Sequence, residues 1–311
     1  MEFKHIPVLL KECIEGLNIN PNGIYVDCTL GGAGHSEEIV KKLTTGKLIG
    51  IDRDLEAIEA SKKRLDKYKD KVIFVHDNYK NLKEILKNNN ITKVDGILCD
   101  LGISSYQIDN PSRGFSINNN GKIDMRMDTE EDFSGYDVVN KYNLEKLTSV
   151  IRNYGEEPFA YKIASKIIQF RKVQPIETTK QLKEIIESCF PKKLIYKNGN
   201  VSQKTFQAIR IEVNKELENL DKCFNDFIDC LKINGRCCII SFHSLEDRIV
   251  KNVFNYNSKE CVCPPKTPIC ICNHHSSVKI INKKPIIASK EECDYNSRST
   301  CAKLRIIEKI I

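Results

Sequence analysis

Apolar residues in the first hundred positions follow two alternating patterns. Ile24 to Thr29 is a short β-branched run ending in glycines. Leu48-Ile49-Gly50-Ile51 ends at Asp52, Val72 to Val75 is a third run, and Val94 to Cys99 ends at Asp100. These runs are continuous rather than alternating, as in parallel strands covered on both faces. Between them the spacing is helical, as in Leu55, Ile58 and Leu65, then Leu82, Ile85 and Leu86. Ser36-Glu37-Glu38 opens the first helical stretch, with Ser36 as the expected N-cap and acids where a helix dipole favours them. Repeated β-α units of this kind predict an α/β fold with a doubly wound, mostly parallel sheet.

The pattern changes after Asp100. Residues 103–135 are rich in Ser, Asn, Asp and Gly and read as an irregular connection. Three helical stripes follow. Leu144, Leu147, Val150 and Ile151 have Asn143 as N-cap and Gly155 as stop; Phe159, Ile163, Ile167 and Phe170 have Pro158 near the first turn; the third is Leu182, Ile185, Ile186 and Cys189. A long helix over about 205–231 then leads through Asn234-Gly235 into an apolar run from Arg236 to Ser241. Val278 to Ile281, Pro285 to Ile287 and the alternating Lys303 to Ile307 read as late antiparallel strands. The expected organisation is an α/β domain of residues 1–105 and 200–311, interrupted by a mostly helical insertion, 106–199.

Charge adds a location. The 311 residues hold 49 Lys and Arg against 42 Asp and Glu, a net charge of +7. Fifteen basic and eight acidic side chains lie between positions 136 and 215, so that stretch alone carries a charge equal to the whole excess. That layout fits a nucleic-acid-handling segment beside a neutral core, or more plainly a solvated helical surface. No apolar run approaches the roughly 18–20 residues of a membrane span. Met1 to His5, with only Ile6 to Leu10 before Lys11, is too short for a signal-peptide core. The expectation is a cytoplasmic protein whose fourteen cysteines are thiols or metal ligands rather than a disulfide framework.

The candidate chemistry begins at Asp27-Cys28-Thr29-Leu30-Gly31-Gly32-Ala33-Gly34-His35, between a strand and a helix, where glycines let the backbone approach a ligand. Asp52 ends the next strand, where a carboxylate can take both ribose hydroxyls of an adenine nucleoside. A dinucleotide fingerprint read from Gly32 needs a small residue where Glu37 stands, and that carboxylate would repel a pyrophosphate. S-adenosylmethionine has no phosphate, and its sulfonium cation tolerates Asp27, Glu37 and Asp100, so it is favoured over NAD. Asp100, at a strand's carboxyl end, is either a cap or turn residue or an acceptor for an exocyclic amine. Acceptors aimed at that amine free its lone pair to attack a methyl group.

These strings belong to a set that runs nearly end to end: His5 to Leu10 (HIPVLL), Asp27 to Ser36 (DCTLGGAGHS), Ile51 to Asp54 (IDRD), Asp95 to Ser105 (DGILCDLGISS), Arg113 to Ser116 (RGFS), Asp124 to Asp128 (DMRMD), Tyr154 to Glu157 (YGEE), Thr205 to Ile211 (TFQAIRI), Ser241 to Arg248 (SFHSLEDR) and Lys303 to Arg305 (KLR). With them the chain resembles the MraW-type family of bacterial S-adenosylmethionine-dependent 16S rRNA (cytosine-N4)-methyltransferases. The resemblance implies a class I methyltransferase domain interrupted by a helical substrate-recognition domain. It also implies N4 methylation of a cytidine in the decoding centre of the small ribosomal subunit, on a late assembly intermediate.

By matching position, the resemblance implies cofactor contacts at Ala33, Gly34, His35, Asp52, Tyr79, Asp100 and Gln107. Asp52 would bind the ribose and Tyr79 would pack on adenine, with Asp100 and Gln107 near the methionine end or the incoming base. Asp100, Ser104 and His243 are the catalytic candidates. His35 is expected as a loop or cofactor contact, and His243 either borders the substrate pocket or is a buried hydrogen-bonded histidine. The chain departs from the family pattern at Asn200-Val201-Ser202-Gln203-Lys204 and at Asn296-Ser297-Arg298-Ser299-Thr300.

Cys261, Cys263, Cys270 and Cys272, followed by His274 and His275, have the residue types of a zinc site, although C-x-C is tighter than the common spacing. A proline-rich loop with reduced thiols, or an oxidisable pair, fits the same residues. Cys99, Cys237 and Cys238 lie in apolar runs and read as core. Competing functions are a DNA or protein amino-methyltransferase, and a non-catalytic RNA-binding assembly factor with a vestigial pocket. The intact Gly31 to His35 loop, Asp52 and Asp100 argue against the latter. The expected partner is 16S rRNA within the small subunit, with no membrane, and a homodimer is left open.

Overall fold

The computed structural model describes residues 6–264, 267 and 269–311; His5, at the head of the HIPVLL string, lies outside them. In chain order, the first segment carries α1 (Leu10–Leu17), β1 (Ile24–Asp27), α2 (Gly34–Lys42), β2 (Lys47–Asp52), α3 (Leu55–Arg64), β3 (Val72–His76), α4 (Leu82–Asn88) and β4 (Val94–Asp100). The middle segment carries α5 (Ser105–Asp109), α6 (Gly135–Lys141), α7 (Leu144–Gly155), α8 (Ala160–Arg171), α9 (Thr179–Glu187), α10 (Lys192–Asn198) and α11 (Gln203–Asn214). The last carries α12 (Leu220–Cys230), β5 (Leu231–Ser241), α13 (Ser244–Asn257), β6 (Val278–Ile280), β7 (Ile286–Ile287), α14 (Lys290–Tyr295) and β8 (Lys303–Lys309).

The chain divides into two compact units, Met1–Gly102 with Asn219–Ile311, and Ile103–Glu218. In the first, an eight-stranded sheet has the order β3-β2-β1-β4-β5-β8-β6, with β7 also on β8. β1 to β5 are mutually parallel, β8 runs antiparallel to β5, and β6 and β7 run antiparallel to β8. The chain winds outward from β1 to β3, then returns to place β4 on the other side of β1. In a doubly wound sheet that reversal leaves a crevice at the strands' carboxyl ends. The continuous apolar runs are what two covered faces require: Leu48, Ile49, Ile51, Ile97, Leu98 and Cys99 are all fully buried. Cys237 and Cys238 are fully buried core residues too, as expected.

The second unit is helical, around a core that includes Val138, Leu147, Ile151, Ile163, Ile167, Leu182, Ile186, Phe206 and Ile209. α7 packs on both α8 and α11. A Cβ at Gly155 would lie 2.6 Å from the Lys204 carbonyl oxygen, so glycine permits the α7–α11 approach.

Three expectations are corrected. α11 shares the helical core, so the insertion ends at Glu218 rather than at residue 199. The single helix expected over 205–231 is two helices. The break holds left-handed residues, Lys215 (φ 49) and Asn219 (φ 54), and Asn214 clamps backbone: its Oδ1 accepts the Met127 N–H at 2.7 Å and its Nδ2 donates to the Met125 carbonyl at 2.7 Å. β5 begins at Leu231, before the Asn234-Gly235 pair, because its pairing with β4 shifts register between Val94 and Gly96 and so absorbs the turn-forming residues. No described helix is long and apolar enough to cross a membrane.

Candidate cofactor site at the strand ends

The loop after β1 laces three strand ends together. Cys28 N–H donates to the Leu98 carbonyl at 2.8 Å, and Leu30 N–H donates to the Ile51 carbonyl at 2.9 Å. Asp100 N–H donates to Thr29 Oγ1 at 2.7 Å, and Gly31 N–H donates to Asp52 Oδ2 at 2.8 Å. The loop turns through two left-handed residues, Gly31 (φ 49) and Ala33 (φ 55). Ala33 is fully buried, so packing holds an alanine in a backbone region that glycine prefers.

This turn starts α2 at Gly34, three residues earlier than expected, with Ala33 as the N-cap. Ser36 is therefore not the cap; its hydroxyl is spent on Asp27 Oδ2, 2.6 Å away. The first-turn N–H groups of α2 lack intrahelical partners, as at any helix start. His35 is 5% exposed, and its Nε2 donates to the Val8 carbonyl at 2.9 Å. Burial lowers its pKa to about 4, so the ring is a neutral strut.

Three carboxylates end three neighbouring strands. Burial pushes Asp27 up to about 6, against donation from Ser36 and Thr29. Burial also pushes Asp52 up to about 6, although its oxygens accept the N–H groups of Gly31 and Asp54. Asp100 is raised well above the ordinary carboxylate range, by burial first and then by the charges of Asp27 and Glu246. Its Oδ1 is buried without a hydrogen-bond partner among the described residues. None of the three has a base among the groups that shift it. Such a set is short of positive charge.

Glu246 was missed in the sequence. It is 2% exposed, and its Oε2 accepts the N–H groups of Phe242 (2.9 Å) and His243 (3.3 Å) at the start of α13. His243 is the N-cap: its Nδ1 accepts the Glu246 N–H at 3.3 Å, which leaves the proton on Nε2, a buried atom 3.2 Å from Glu246 Oε1 but without a hydrogen bond among the described residues. The x-x-Glu spacing was the available signal, hidden because such boxes normally open with Ser or Thr. Tyr79 follows β3, with its ring edge-on to Phe227 at 6.2 Å. In the second unit, Ser104 and Gln107 cap α5 reciprocally: Ser104 Oγ accepts the Gln107 N–H at 3.3 Å and Gln107 Oε1 accepts the Ser104 N–H at 3.0 Å.

That unit also has its own cavity of about 610 Å3, lined by residues that include Phe133, Tyr142, Lys146, Tyr154, Glu212 and Lys215. Lys146 Nζ sits 3.9 Å from the Tyr142 ring centre, and the Tyr142 hydroxyl donates to Glu212 Oε1 at 2.6 Å. Burial and Glu212 raise the Tyr142 pKa. Aromatic faces among lysines are the usual furniture of single-stranded RNA binding.

A family model described as the MraW methylase family matches residues 2–310. The chain belongs to that family. Curated relatives named ribosomal RNA small subunit methyltransferase H align over the whole chain and cover 100% of both partners. They are 54% identical in Finegoldia magna, 56% in Clostridium botulinum strain Loch Maree and 52% in Clostridioides difficile. For a methylase, the acid-lined strand ends are informative, because the common biological methyl donor is a sulfonium cation. Carboxylates that lack a base, one with an orphaned oxygen, fit such a group better than they fit a phosphate.

Proposed function

We propose that this chain transfers the methyl group of S-adenosylmethionine to the N4 amine of a cytidine in the decoding centre of bacterial 16S rRNA. It would act in the cytoplasm, on the small ribosomal subunit or its late assembly intermediate. The names of its full-length relatives support a small-subunit rRNA acceptor. The observation that carries the chemistry is Asp100, a half-buried carboxylate at the end of a central strand whose Oδ1 is itself buried with no hydrogen-bond partner among the described residues.

Bound S-adenosylmethionine supplies an electrophilic methyl group on sulfur. Asp52 would take the ribose hydroxyls with the lone pairs left by its two N–H donors, and Tyr79 would pack on adenine. The backbone of Ala33, Gly34 and His35 would meet the methionine end. Asp100 accepts from the cytosine amine, which localises the nitrogen lone pair for in-line attack, and then takes the proton the nitrogen sheds. A carboxylate with a raised proton affinity suits that last step. Ser104 and His243 act as positioning residues through their helix caps. Zinc, one of the readings left open for the four-cysteine segment, would be structural in this scheme. The unit of residues 103–218, with the basic block, would hold the RNA backbone and present the base unpaired. A homodimer is compatible with this scheme and is not required by it.

The test uses small subunits from cells lacking this protein, incubated with it and labelled S-adenosylmethionine. Label on cytosine N4 of the small-subunit RNA is expected. Absence of label overturns the proposal, and label on DNA or protein moves the acceptor elsewhere.

A further inference from the structure

We propose that Cys261, Cys263, Cys270 and Cys272 hold a single zinc ion as four thiolates, and that this ion folds the segment between α13 and β6. The sequence left open whether these thiols meet. In the structure all four sulfurs lie within 4.8 Å of one another. Cys261 Sγ is 3.5 Å from Cys270 Sγ and 3.7 Å from Cys272 Sγ; Cys270 Sγ is 3.9 Å from Cys263 Sγ and 3.5 Å from Cys272 Sγ. A tetrahedron with zinc–sulfur bonds of about 2.3 Å has sulfurs about 3.8 Å apart. So compact a set encloses one metal ion; an iron–sulfur cluster would spread its cysteines further.

The surroundings of the sulfurs agree. Val262 N–H points to Cys272 Sγ at 3.5 Å, Ile271 N–H to Cys263 Sγ at 3.5 Å, and Cys263 N–H to Cys261 Sγ at 3.4 Å. Backbone donors of this kind offset thiolate charge and orient metal ligands. The two C-x-C strands thus cross-link each other through both sulfurs and amides.

The segment has no apolar core of its own among its described residues. Among the described residues from Lys259 to His275 none is buried, and Ile269 and Ile271 are 76% and 78% exposed. Hydrophobic burial therefore does not hold it. Its base is closed by Ser277 N–H donating to the Asn257 carbonyl at 2.9 Å and by Asn257 Nδ2 donating to Asn225 Oδ1 at 2.8 Å. His274 is taken up there too: Nε2 lies 3.0 Å from the Tyr256 carbonyl oxygen, and its ring packs 4.6 Å from that tyrosine's ring. The ligand set is accordingly four cysteines, closed to substrate, which is the structural rather than the catalytic type.

The inference does not depend on the methyl-transfer reading, and its test measures something else. Full-length protein purified without chelators under reducing conditions is expected to carry about one equivalent of zinc by mass spectrometry of the metal. Cys263→Ser and Cys270→Ser should each drop it below about a tenth, while Cys301→Ser, at an exposed thiol outside the cluster, keeps it. Cobalt exchanged into the wild-type chain should show the absorption of a tetrahedral tetrathiolate. Amide hydrogen exchange should lose protection at residues 259–275 on chelation, with both cores unchanged. Less than about a tenth of an equivalent of metal in folded wild-type protein overturns the proposal. So does intact mass showing two disulfides among the four cysteines, and iron in place of zinc overturns the choice of ion.

Discussion

The strand ends of the sheet treat their acidic groups differently from the helical unit and from the rest of the α/β unit, where Arg305 pairs with Asp247 and Arg236 with Glu308. In the helical unit they are matched locally: Arg210 grips Glu216 through two bonds of 2.9 and 2.8 Å, Arg126 grips Asp124 at 2.9 and 2.7 Å, and Lys141 reaches Asp137 at 2.6 Å. In the α/β unit, Asp27, Asp52 and Asp100 end neighbouring strands with only backbone and hydroxyl donors, and all three hold protons more tightly than usual. Buried charge is costly unless paired. The helical unit meets that cost with its own bases and gains a fixed fold. The sheet edge leaves it unmet, which is useful only if an incoming cation meets it.

The sharpest way to break this contrast is Asp100→Ala. Methyl transfer should fall by about 10²- to 10³-fold, the loss typical of one preorganised transition-state contact, with a smaller change in cofactor affinity. Labelled transfer and calorimetry separate the two; near-normal turnover would remove Asp100 from the chemistry. Next comes Arg210→Ala, which leaves Glu216 buried and uncompensated. The two side chains are only 15% and 8% exposed, so a stability loss of about 3 kcal/mol is expected in thermal unfolding. Lys141→Ala, at a far more exposed pair, should leave the unfolding midpoint close to that of the unaltered chain in the same assay.

Asp52→Ala should weaken cofactor binding by roughly 10- to 100-fold, the worth of a charged hydrogen bond, with kcat at saturation changed less. An unaltered Kd would mean that the strand end serves only to hold the Gly31 loop. The smallest effect is on pH. Asp27 and Asp52 have folded pKa values raised to about 6, so below that pH the free protein keeps protons that a bound cation must displace. Affinity for S-adenosylmethionine should fall as pH drops through about 6, by at most tenfold per unit for each proton displaced. S-adenosylhomocysteine, a neutral thioether, should show a shallower fall. For the free protein the sign is reversed: raised carboxyl pKa values mean that the folded state binds more protons, so stability declines as pH rises from about 4 to about 6. Parallel slopes for the two ligands would count against charge pairing at this edge.

Much of the frame was legible from local pattern. Each of the first four apolar runs became a parallel strand, and both Asp52 and Asp100 fall at strand ends. Asn143 caps α7 as expected, its side chain accepting the Lys146 N–H. The misses share a cause. Ser36 is a good cap by composition, but buried Asp27 claims its hydroxyl, and the helix starts earlier on a strained alanine. The expected helix over 205–231 has helical spacing throughout, yet Asn214 is spent on a loop about ninety residues away in the chain. Glu246 went unnoticed because a histidine stands where a serine or threonine usually announces the cap.

By itself the sequence determined the alternation of strand and helix, the acids at the ends of the first, second and fourth runs, the motif strings that mark the family, and the basic excess between positions 136 and 215. Periodicity and spacing act over a few residues, so they survive without the fold. What only the tertiary structure decided is how those groups behave. Asp100 meets Thr29 across 71 positions and feels Asp27 and Glu246 through burial. His35 is left neutral by burial, and four cysteines of a loop, none of them buried, close to tetrahedral distance. Desolvation and sulfur–sulfur distances are set by which distant segments pack together, and no local pattern encodes them.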